Sequence, residues 1–339
     1  MTVPRSELPL CSARRLLICA ALIVAVMLDR APVAAQSQSP DARLVTLGTG
    51  GGPLLRTERA QSANLLIFPE GLVAVDLGQG AISRLTQAGH RPDDIKAVLL
   101  THHHIDHVAD LWSFILHRWA SRAEPMTIVG PTGTKDLVEG LLRASRPIVE
   151  ASEALANGIR PIEASVEVLE MNDRNSRLAL PGFPSVMVTA AENSHLAAGQ
   201  AGLTNSAPVS LGYRIDTPSR SFLFTGDTGP SMELERLGQN VDVVIGEVVD
   251  VEAAMRAAEQ SLKLPEAARR TLAQRMGTGH MTPAQLGALA RVIGANTLVV
   301  SHITPSTAPP SDDEDERLTS DIARQFSGRI VVARDLMTF

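Results

Sequence analysis

Short runs of apolar residues, bounded by glycine, proline and polar residues, recur along most of this 339-residue chain. Short runs rich in Val, Ile and Leu are typical of buried β-strands. They alternate with segments whose apolar residues return every three or four positions, as in amphipathic helices. This alternation predicts an α/β fold. The predicted strands are Arg43–Leu47, Ala63–Phe68, Gly71–Asp76, Lys96–Leu100, Thr127–Gly130, Ala164–Glu170, Ser185–Ala190, Ser210–Ile215, Ser221–Asp227, Val241–Ile245, Leu298–Ser301 and Ile330–Ala333.

Helical segments fill most of the sequence between the later strands. Arg146–Pro161 fits neither the helical nor the strand pattern, and we expect it to be irregular. Whether it or Val251–Met276 forms a lid over a site is left open. The predicted helices are Ala81–Ala88, Val108–Ala120, Thr132–Ala144, Val251–Met276 with an interruption at Pro265, and two that begin after the capping residues Thr282 and Ser311.

Four of the nine histidines lie in the sequence HHHIDH at residues 102–107, between a predicted strand and a predicted helix. Side chains two apart on an extended segment point the same way, so His102 and His104 can bind one ion. As the chain turns into the helix, Asp106 and His107 point towards a neighbouring position and a second ion. Imidazole and carboxylate ligands suit zinc, and also iron or manganese. The alternative is a polar turn without a metal role.

The motif His-x-His-x-Asp-His after an apolar strand resembles that of the metallo-β-lactamase superfamily hydrolases. Other residues resemble the remaining motifs of that family in the expected order: Asp76, His195, Asp227 and His302. The resemblance extends from about Leu44 to Leu336. It implies a four-layer αββα sandwich of the metallo-β-lactamase type, with a dinuclear metal site along one sheet edge.

The resemblance also implies the ligands of two divalent metal ions, for which zinc is favoured and manganese or iron is possible. The expected ligands are His102, His104 and His195 for one ion, Asp106, His107 and His302 for the other, and Asp227 for both. One carboxylate can bridge two cations about 3.5–4 Å apart. Asp76 is expected to orient the cluster by accepting hydrogen bonds. The expected catalytic residues are Asp106 and a pair, Glu247 with His280, that points into the site.

A glycine-rich segment, residues 48–53, follows the first predicted strand. It invites a phosphate-binding interpretation, but it lacks the Gly-Lys-Ser/Thr ending of a P-loop and a strand follows it. We therefore expect a tight hairpin-type turn. The segment, with a later Arg and Ser, also resembles the opening of the ribonuclease Z-like and arylsulfatase-like branch of the superfamily.

The first 35 residues have the pattern of a cleaved export signal, with basic residues, an apolar stretch and small residues before Gln36. The apolar stretch, Leu16–Leu28, is shorter than the ~20 residues that cross a bilayer, which disfavours the alternative of an uncleaved membrane anchor. Arg14-Arg15 leaves twin-arginine export open. We expect a periplasmic or secreted protein whose residues 36–339 form a single catalytic domain, with no stable membrane anchor after cleavage.

Cleavage would remove both cysteines, so any metal must be bound by His and carboxylate. It would also remove four arginines and two acidic residues, changing the formal net charge from −6 to −8. A negative net charge repels the phosphates of a nucleic acid, and a content of 3% aromatic residues provides few side chains for stacking on bases. A nucleic-acid partner is therefore disfavoured. A homodimer is left open.

The expected function is that of an exported dinuclear metal-dependent hydrolase, with a metal-bridging hydroxide attacking a small phosphodiester or sulfate ester. Thr304-Pro305 stands after His302 where the tRNA-processing family tends to carry Ser-x-Arg-Tyr, which favours a small-molecule ester substrate. A lactonase-type carboxylic ester hydrolase is an alternative, although residues 106–110 lack the paired glycines usual in lactonases. Another alternative is a non-catalytic metal-binding or ligand-binding protein on the same fold.

Overall fold

The structure is a computed structural model that describes residues 42–152, 158–171, 176–196, 208–261, 264–304 and 311–339. Two β-sheets form the centre of this part of the chain, and helices cover the outer face of each. The predicted export signal lies outside the described residues.

The first sheet has six strands within the described residues, in the order β1-β2-β3-β4-β5-β6. β1, β2 and β3 pair antiparallel, and β3 to β6 pair parallel. These strands are β1 (Arg43–Gly48), β2 (Ala63–Phe68), β3 (Gly71–Val75), β4 (Ile95–Leu99), β5 (Met126–Gly130) and β6 (Val166–Glu170).

The second sheet has seven strands in the described part of the chain, in the order β13-β12-β11-β10-β9-β8-β7. β7 to β10 pair antiparallel, and β10 to β13 pair parallel. These strands are β7 (Ser176–Ala179), β8 (Met187–Glu192), β9 (Leu211–Asp216), β10 (Ser221–Phe224), β11 (Val243–Val249), β12 (Thr297–Thr304) and β13 (Arg329–Val332).

The helices lie in the connections between parallel strands. None of those in the described ranges is long and apolar enough to cross a membrane. They are α1 (Ala81–Gln87), α2 (Ile105–Val108), α3 (Leu111–Ala120), α4 (Thr134–Ala151), α5 (Met232–Leu237), α6 (Val251–Ser261), α7 (Glu266–Gly279), α8 (Pro283–Ile293) and α9 (Asp312–Ala323), with short 3₁₀ turns at Pro92–Asp94 and Ile162–Ser165.

Strand side chains alternate between two apolar cores, as the two-residue period of a strand requires. In β3, Val73 and Val75 lie in the core between the sheets, whereas Leu72 and Ala74 face the core under the helices of the first sheet. A third core joins the second sheet to α5, α8 and α9. The layers are therefore helix, sheet, sheet and helix, which confirms the expected αββα sandwich.

Most predicted strands and helices are present within a few residues of their expected ends. Among the described residues, the edge strand β7 and the short helices α2 and α5 were not predicted. β7 is only partly buried, so its sequence SRLA carries little of the apolar signal of a core strand. The Ser231 side chain caps α5 by accepting a hydrogen bond from the Leu234 N–H.

The prediction that Arg146–Pro161 is irregular is wrong for its first part, because α4 continues to Ala151 with Pro147 inside it. A proline removes the hydrogen bond to the carbonyl four residues earlier, here that of Arg143. Both residues are exposed, so water can bond that carbonyl and the helix continues. Residues 153–157 of the segment lie outside the described residues.

A buried tyrosine links the two sheets behind the histidine cluster. The Tyr213 hydroxyl donates to the carbonyl oxygen of Leu100 at 2.8 Å, and the Leu211 N–H donates to the Thr101 carbonyl at 2.9 Å. Tyr213 is fully buried. The strand end that carries the cluster is therefore fixed to β9 of the opposite sheet.

We expect Tyr213→Phe to destabilise the protein by about 1–3 kcal/mol, because the Leu100 carbonyl would lose a buried donor. The free energy of unfolding, measured by urea denaturation, tests this. Thr86→Ala is the control, since it removes a hydroxyl that bonds only within the exposed side of α1 and should change stability by less than about 0.5 kcal/mol. Equal effects of the two substitutions would contradict the assignment.

Candidate metal centre

Most of the predicted site residues lie at or near the ends of strands of both sheets. Asp76 follows β3, the histidine cluster follows β4, and Asp227 follows β10. Glu247 and His302 lie within β11 and β12. Polar residues at the ends of strands in an α/β fold are placed for chemistry because the apolar core stops there.

The structure brings seven predicted residues together as two groups whose nitrogen and carboxylate oxygen atoms lie within 4.8 Å of one another. The first ligand group is His102, His104, His195 and Asp227, and the second ligand group is Asp106, His107, Asp227 and His302. All members of the second group are buried, whereas His104 is exposed and His195 is partly buried. The site is therefore closed on one side and open on the other.

Asp227 belongs to both groups and faces each of them with a different oxygen. Its Oδ2 lies 3.9 Å from Nε2 of His102 and 3.9 Å from Nε2 of His195. Its Oδ1 lies 3.2 Å from Nε2 of His107 and 3.1 Å from Nε2 of His302. A carboxylate in this position could bridge two cations, which is the role that the family resemblance implies for Asp227.

Several atoms of these groups are buried without a hydrogen-bond partner among the described residues. They include Nε2 of His102, Nε2 of His107 and Oδ1 of Asp227, although the last two atoms lie 3.2 Å apart. Nδ1 of His104 and Nε2 of His195 face each other at 3.1 Å. A buried polar atom without a partner costs about 1–3 kcal/mol, so this arrangement needs a further group at its centre. Nitrogen and oxygen donors without thiolate fit zinc, manganese or iron.

The electrostatics of the first ligand group favour neutral imidazoles, the form that binds a metal. Burial lowers the pKa of His195 to about 4, against the opposing charge of Asp227. Burial also lowers the pKa of His102 well below its usual value. Burial alone would raise the pKa of Asp227, but His302 and His107 hold it well below the usual range. The carboxylate is therefore charged while two imidazoles facing it are neutral.

Asp76 orients the cluster, as expected. Its Oδ1 accepts the Thr101 N–H at 2.8 Å, and its Oδ2 lies 2.8 Å from Nδ1 of His107. Nδ1 of His107 therefore donates, and Nε2, which lies 3.2 Å from Oδ1 of Asp227, is the ring atom that could bind a metal. Asp76 has φ of 62°, a left-handed conformation that aspartate tolerates better than most residues.

We expect Asp76→Ala to weaken binding of the metal at the second ligand group by about 10–100-fold, because His107 would lose the acceptor that fixes its tautomer and orientation. Competition with a chromophoric chelator measures the affinity. Asp93→Ala is the control because Asp93 lies in the 3₁₀ turn before β4, at the opposite end of that strand from the histidine cluster. An unchanged affinity in Asp76→Ala would show that His107 does not depend on this hydrogen bond.

The glycine-rich segment does not form a tight hairpin turn, which corrects the prediction. β1 and β2 do pair antiparallel, but residues 49–62 connect them and pass over the second ligand group. The Gly52 N–H donates to Oδ2 of Asp106 at 2.8 Å, and a Cβ on Gly52 would lie 2.3 Å from the Asp106 side chain. A Cβ on Gly51 would lie 3.0 Å from the His302 ring. The glycines thus allow the backbone to contact two predicted ligands.

Glu247 and His280 form the predicted pair. Both carboxylate oxygens of Glu247 lie within 3.0 Å of Nδ1 of His280, and Oε1 also accepts the Thr228 N–H at 2.6 Å. Nδ1 of His280 therefore donates, and Nε2 remains for contact with a substrate. His280 packs edge-on against His195, with ring centroids 4.7 Å apart. The pair is thus held next to the first ligand group.

Charge interactions keep His280 protonated in this environment. Burial would lower its pKa, but the carboxylate of Glu247, with help from Asp227 and Asp106, raises that pKa to about 9. Burial raises the pKa of Glu247, which the positive charge of His280 opposes. A protonated His280 can donate a hydrogen bond or a proton.

Some contacts that position the candidate ligands could not be predicted from the sequence. Nδ1 of His195 lies 2.8 Å from the carbonyl oxygen of Gly279, which fixes the His195 tautomer through the end of α7. β11 and β12 shift register between Gly246 and Val248, a β-bulge that lies beside Glu247 and His302. Backbone carbonyl positions and bulges depend on tertiary structure, so they were not predictable from residue types.

Comparison with known proteins shows the family and the fold of this chain. A family model described as β-lactamase superfamily domain matches residues 74–303. A protein named ribonuclease Z from Mycobacterium bovis is 28% identical over 302 residues, which cover 86% of this chain and 96% of that protein. The fold is shared with the metallo-β-lactamase fold protein YhfI from Bacillus subtilis, at 17% identity and a TM-score of 0.63 over 88% of this chain and 99% of that one. The fold is also shared with the short form of human tRNase Z, at 18% identity and a TM-score of 0.59. That match covers 88% of this chain and 98% of the human protein.

The predicted αββα fold, the superfamily resemblance and the predicted class of metal-dependent hydrolase are confirmed. One expectation is opposed, since the relative from Mycobacterium bovis is by name a ribonuclease, whereas we expected nucleic acid to be disfavoured as a partner. The family model spans more than half of the chain. This protein therefore belongs to the β-lactamase superfamily.

Proposed function

We propose that this protein is an exported hydrolase of small phosphodiesters that acts with two divalent cations, zinc being favoured. The observation that carries the proposal is Asp227, whose two oxygens face two separate sets of buried ligand atoms. The adjacent Glu247–His280 pair supplies an acid beside the same centre. A metal centre and a neighbouring acid are the two parts that ester hydrolysis requires.

When bound, two cations would lower the pKa of a water molecule and polarise the bond under attack. The residues of the chain supply the rest. Asp106, oriented by the Gly52 N–H, and His107, oriented by Asp76, keep the second ligand group fixed. His280 donates from Nε2 towards the leaving oxygen, because Glu247 holds its Nδ1.

A cavity of 430 Å³ opens beside the ligand groups, and its size supports a small substrate. Apolar side chains from α7 and from Ile105 form much of its wall. The formal net charge of −6 over the whole chain gives little general attraction for a polyanion. Sulfate esters and lactones remain alternative substrates of the same centre, since each also needs a polarised bond and a proton donor.

RNA is the second candidate substrate, and one observation favours it. The relative from Mycobacterium bovis covers 86% of this chain and carries the name ribonuclease Z. Such a substrate would place only its scissile phosphodiester in the cavity, and the remainder would need contacts elsewhere on the surface. Both candidate substrates are cleaved at a phosphodiester bond. The two candidate functions are therefore distinguished by comparing the rates of hydrolysis of a small phosphodiester and of an RNA.

The test uses the purified mature chain with zinc or manganese on bis(4-nitrophenyl) phosphate, 4-nitrophenyl sulfate, a lactone and an unprocessed tRNA. We expect hydrolysis of the phosphodiester that is lost with a chelator and restored by metal. Faster cleavage of the tRNA would establish the ribonuclease alternative. No hydrolysis of any substrate by the metal-loaded protein would support the non-catalytic alternative instead.

Export is part of the proposal and has its own test. Residues 1–35 have the composition of a cleaved signal, and Val33-Ala34-Ala35 is the predicted cleavage site. We expect the protein recovered from the periplasm or medium to begin at Gln36, as measured by intact mass. A mass that includes residues 1–35 in the cytoplasmic fraction alone would contradict export.

A further inference from the structure

One wall of the cavity beside the candidate metal centre is a single face of α7. Leu272, Arg275 and Met276 all line the cavity, and they are spaced three and four residues apart, so they lie on one side of the helix. The C-terminal end of α7 contacts the candidate metal centre, because the carbonyl oxygen of Gly279 lies 2.8 Å from Nδ1 of His195. The face is therefore held in a fixed relation to the first ligand group.

The chemistry of this face is mixed. Leu272 and Met276 are apolar, and Ile105, whose surface is 65% exposed, lines the cavity as well. Arg275 is the one arginine or lysine among the described lining residues, which otherwise contribute apolar groups, Thr278, several predicted ligands and the protonated His280 next to them. A flat apolar group could lie against the wall and place an anionic substituent next to this guanidinium.

Arg275 differs from the neighbouring arginines of α7. Arg269 and Arg270 each form an ion pair with Glu266, at 3.1 Å and 3.7 Å. Arg275 has no ion pair or hydrogen bond with any residue in the described ranges. This guanidinium has no ion-pair partner among the described residues, and it lines the cavity that leads to the candidate metal centre. It is therefore available to bind an anion in bidentate geometry.

We propose that Arg275 determines substrate specificity by binding a second anionic group of the substrate, such as a carboxylate or phosphate. The substrate carries this group on an apolar or aromatic spacer beside the scissile ester. This inference rests on the proposed function for the location of the scissile group. The substrate class is therefore a small phosphodiester with a further negative charge on its apolar part.

Binding of two matched, non-hydrolysable ligands tests this inference without requiring turnover. The ligands are 4-carboxyphenylphosphonate and 4-carbamoylphenylphosphonate, which share shape but differ in one negative charge. In calorimetric titrations of the metal-loaded protein, we expect the carboxylate to bind about tenfold more tightly, as suits one charge-assisted contact at a solvent-facing site. In Arg275→Gln this preference should disappear, while the affinity for the amide remains unchanged.

Arg270→Gln is the matched control, since it removes one charge from the same helix at an exposed position outside the cavity. It should retain the tenfold preference. The proposal is overturned if the wild type does not prefer the carboxylate, if Arg275→Gln retains the preference, or if Arg270→Gln loses it equally. The protein could prefer the carboxylate ligand in an Arg275-dependent way and still hydrolyse no substrate. That result would reject the proposed function but support Arg275 as an anion-binding residue.

Discussion

Asp227→Asn is expected to reduce kcat/KM for phosphodiester hydrolysis by at least about 10³-fold and to lower the metal content of the protein. The reason is that each oxygen of Asp227 faces a different ligand group, at 3.1–3.9 Å from four imidazole nitrogens. The asparagine keeps the shape of the side chain but removes its negative charge, so both cations lose a charged ligand. Elemental analysis and steady-state kinetics on the same samples measure the two effects.

Asp216→Asn is the matched control for that substitution. Asp216 lies at the end of the neighbouring strand β9 and pairs with Arg214 at 2.9 Å, away from both ligand groups. The control should bind metal and hydrolyse substrate like the wild type. Normal metal content and activity in Asp227→Asn would contradict the role of Asp227 in both groups.

His280→Ala is expected to lower kcat by about 10²–10⁴-fold while the metal content stays near that of the wild type. His280 lies beside the first ligand group but is not one of its members, and Glu247 holds its Nδ1 at 2.8 Å. Glu247→Gln should also lower kcat, and the double variant should be no worse than His280→Ala alone, because the two residues act as one unit.

The control for this series is His117→Ala, which removes an exposed histidine of α3. It should leave kcat and metal content unchanged. Additive losses in the double variant would show that Glu247 and His280 act independently. A loss of metal in His280→Ala that accounts for its loss of activity would show that His280 is a ligand rather than a proton donor.

The fold was predictable where residue patterns are local. Strands such as β4 and β12 are continuous apolar runs, and α8 carries a cap at Thr282 with Pro283 at its first position. The extension of α4 beyond Pro147 was not predictable, because it depends on the exposure of that turn in the folded protein. The edge strand β7 was missed because it buries little apolar surface.

The candidate site was predictable from residue spacing combined with family resemblance. Spacing alone placed His102 and His104 together, whereas bringing His195 and His302 to the same point depended on the resemblance. The arrangement of the second group also requires His302 to adopt φ of 42°, a strained conformation at a β-bulge that no local sequence pattern indicates. Contacts through backbone groups, such as the Gly52 N–H on Asp106, likewise follow from close packing rather than residue type.

We expect this chain to bind two divalent cations through a shared carboxylate, and counting the bound metal tests this most directly. The purified mature protein should contain two divalent ions per chain by inductively coupled plasma mass spectrometry after removal of unbound metal. Chelation should remove both ions together with the phosphodiesterase activity, and zinc or manganese should restore it. A protein that binds one ion or none under saturating metal would contradict the account.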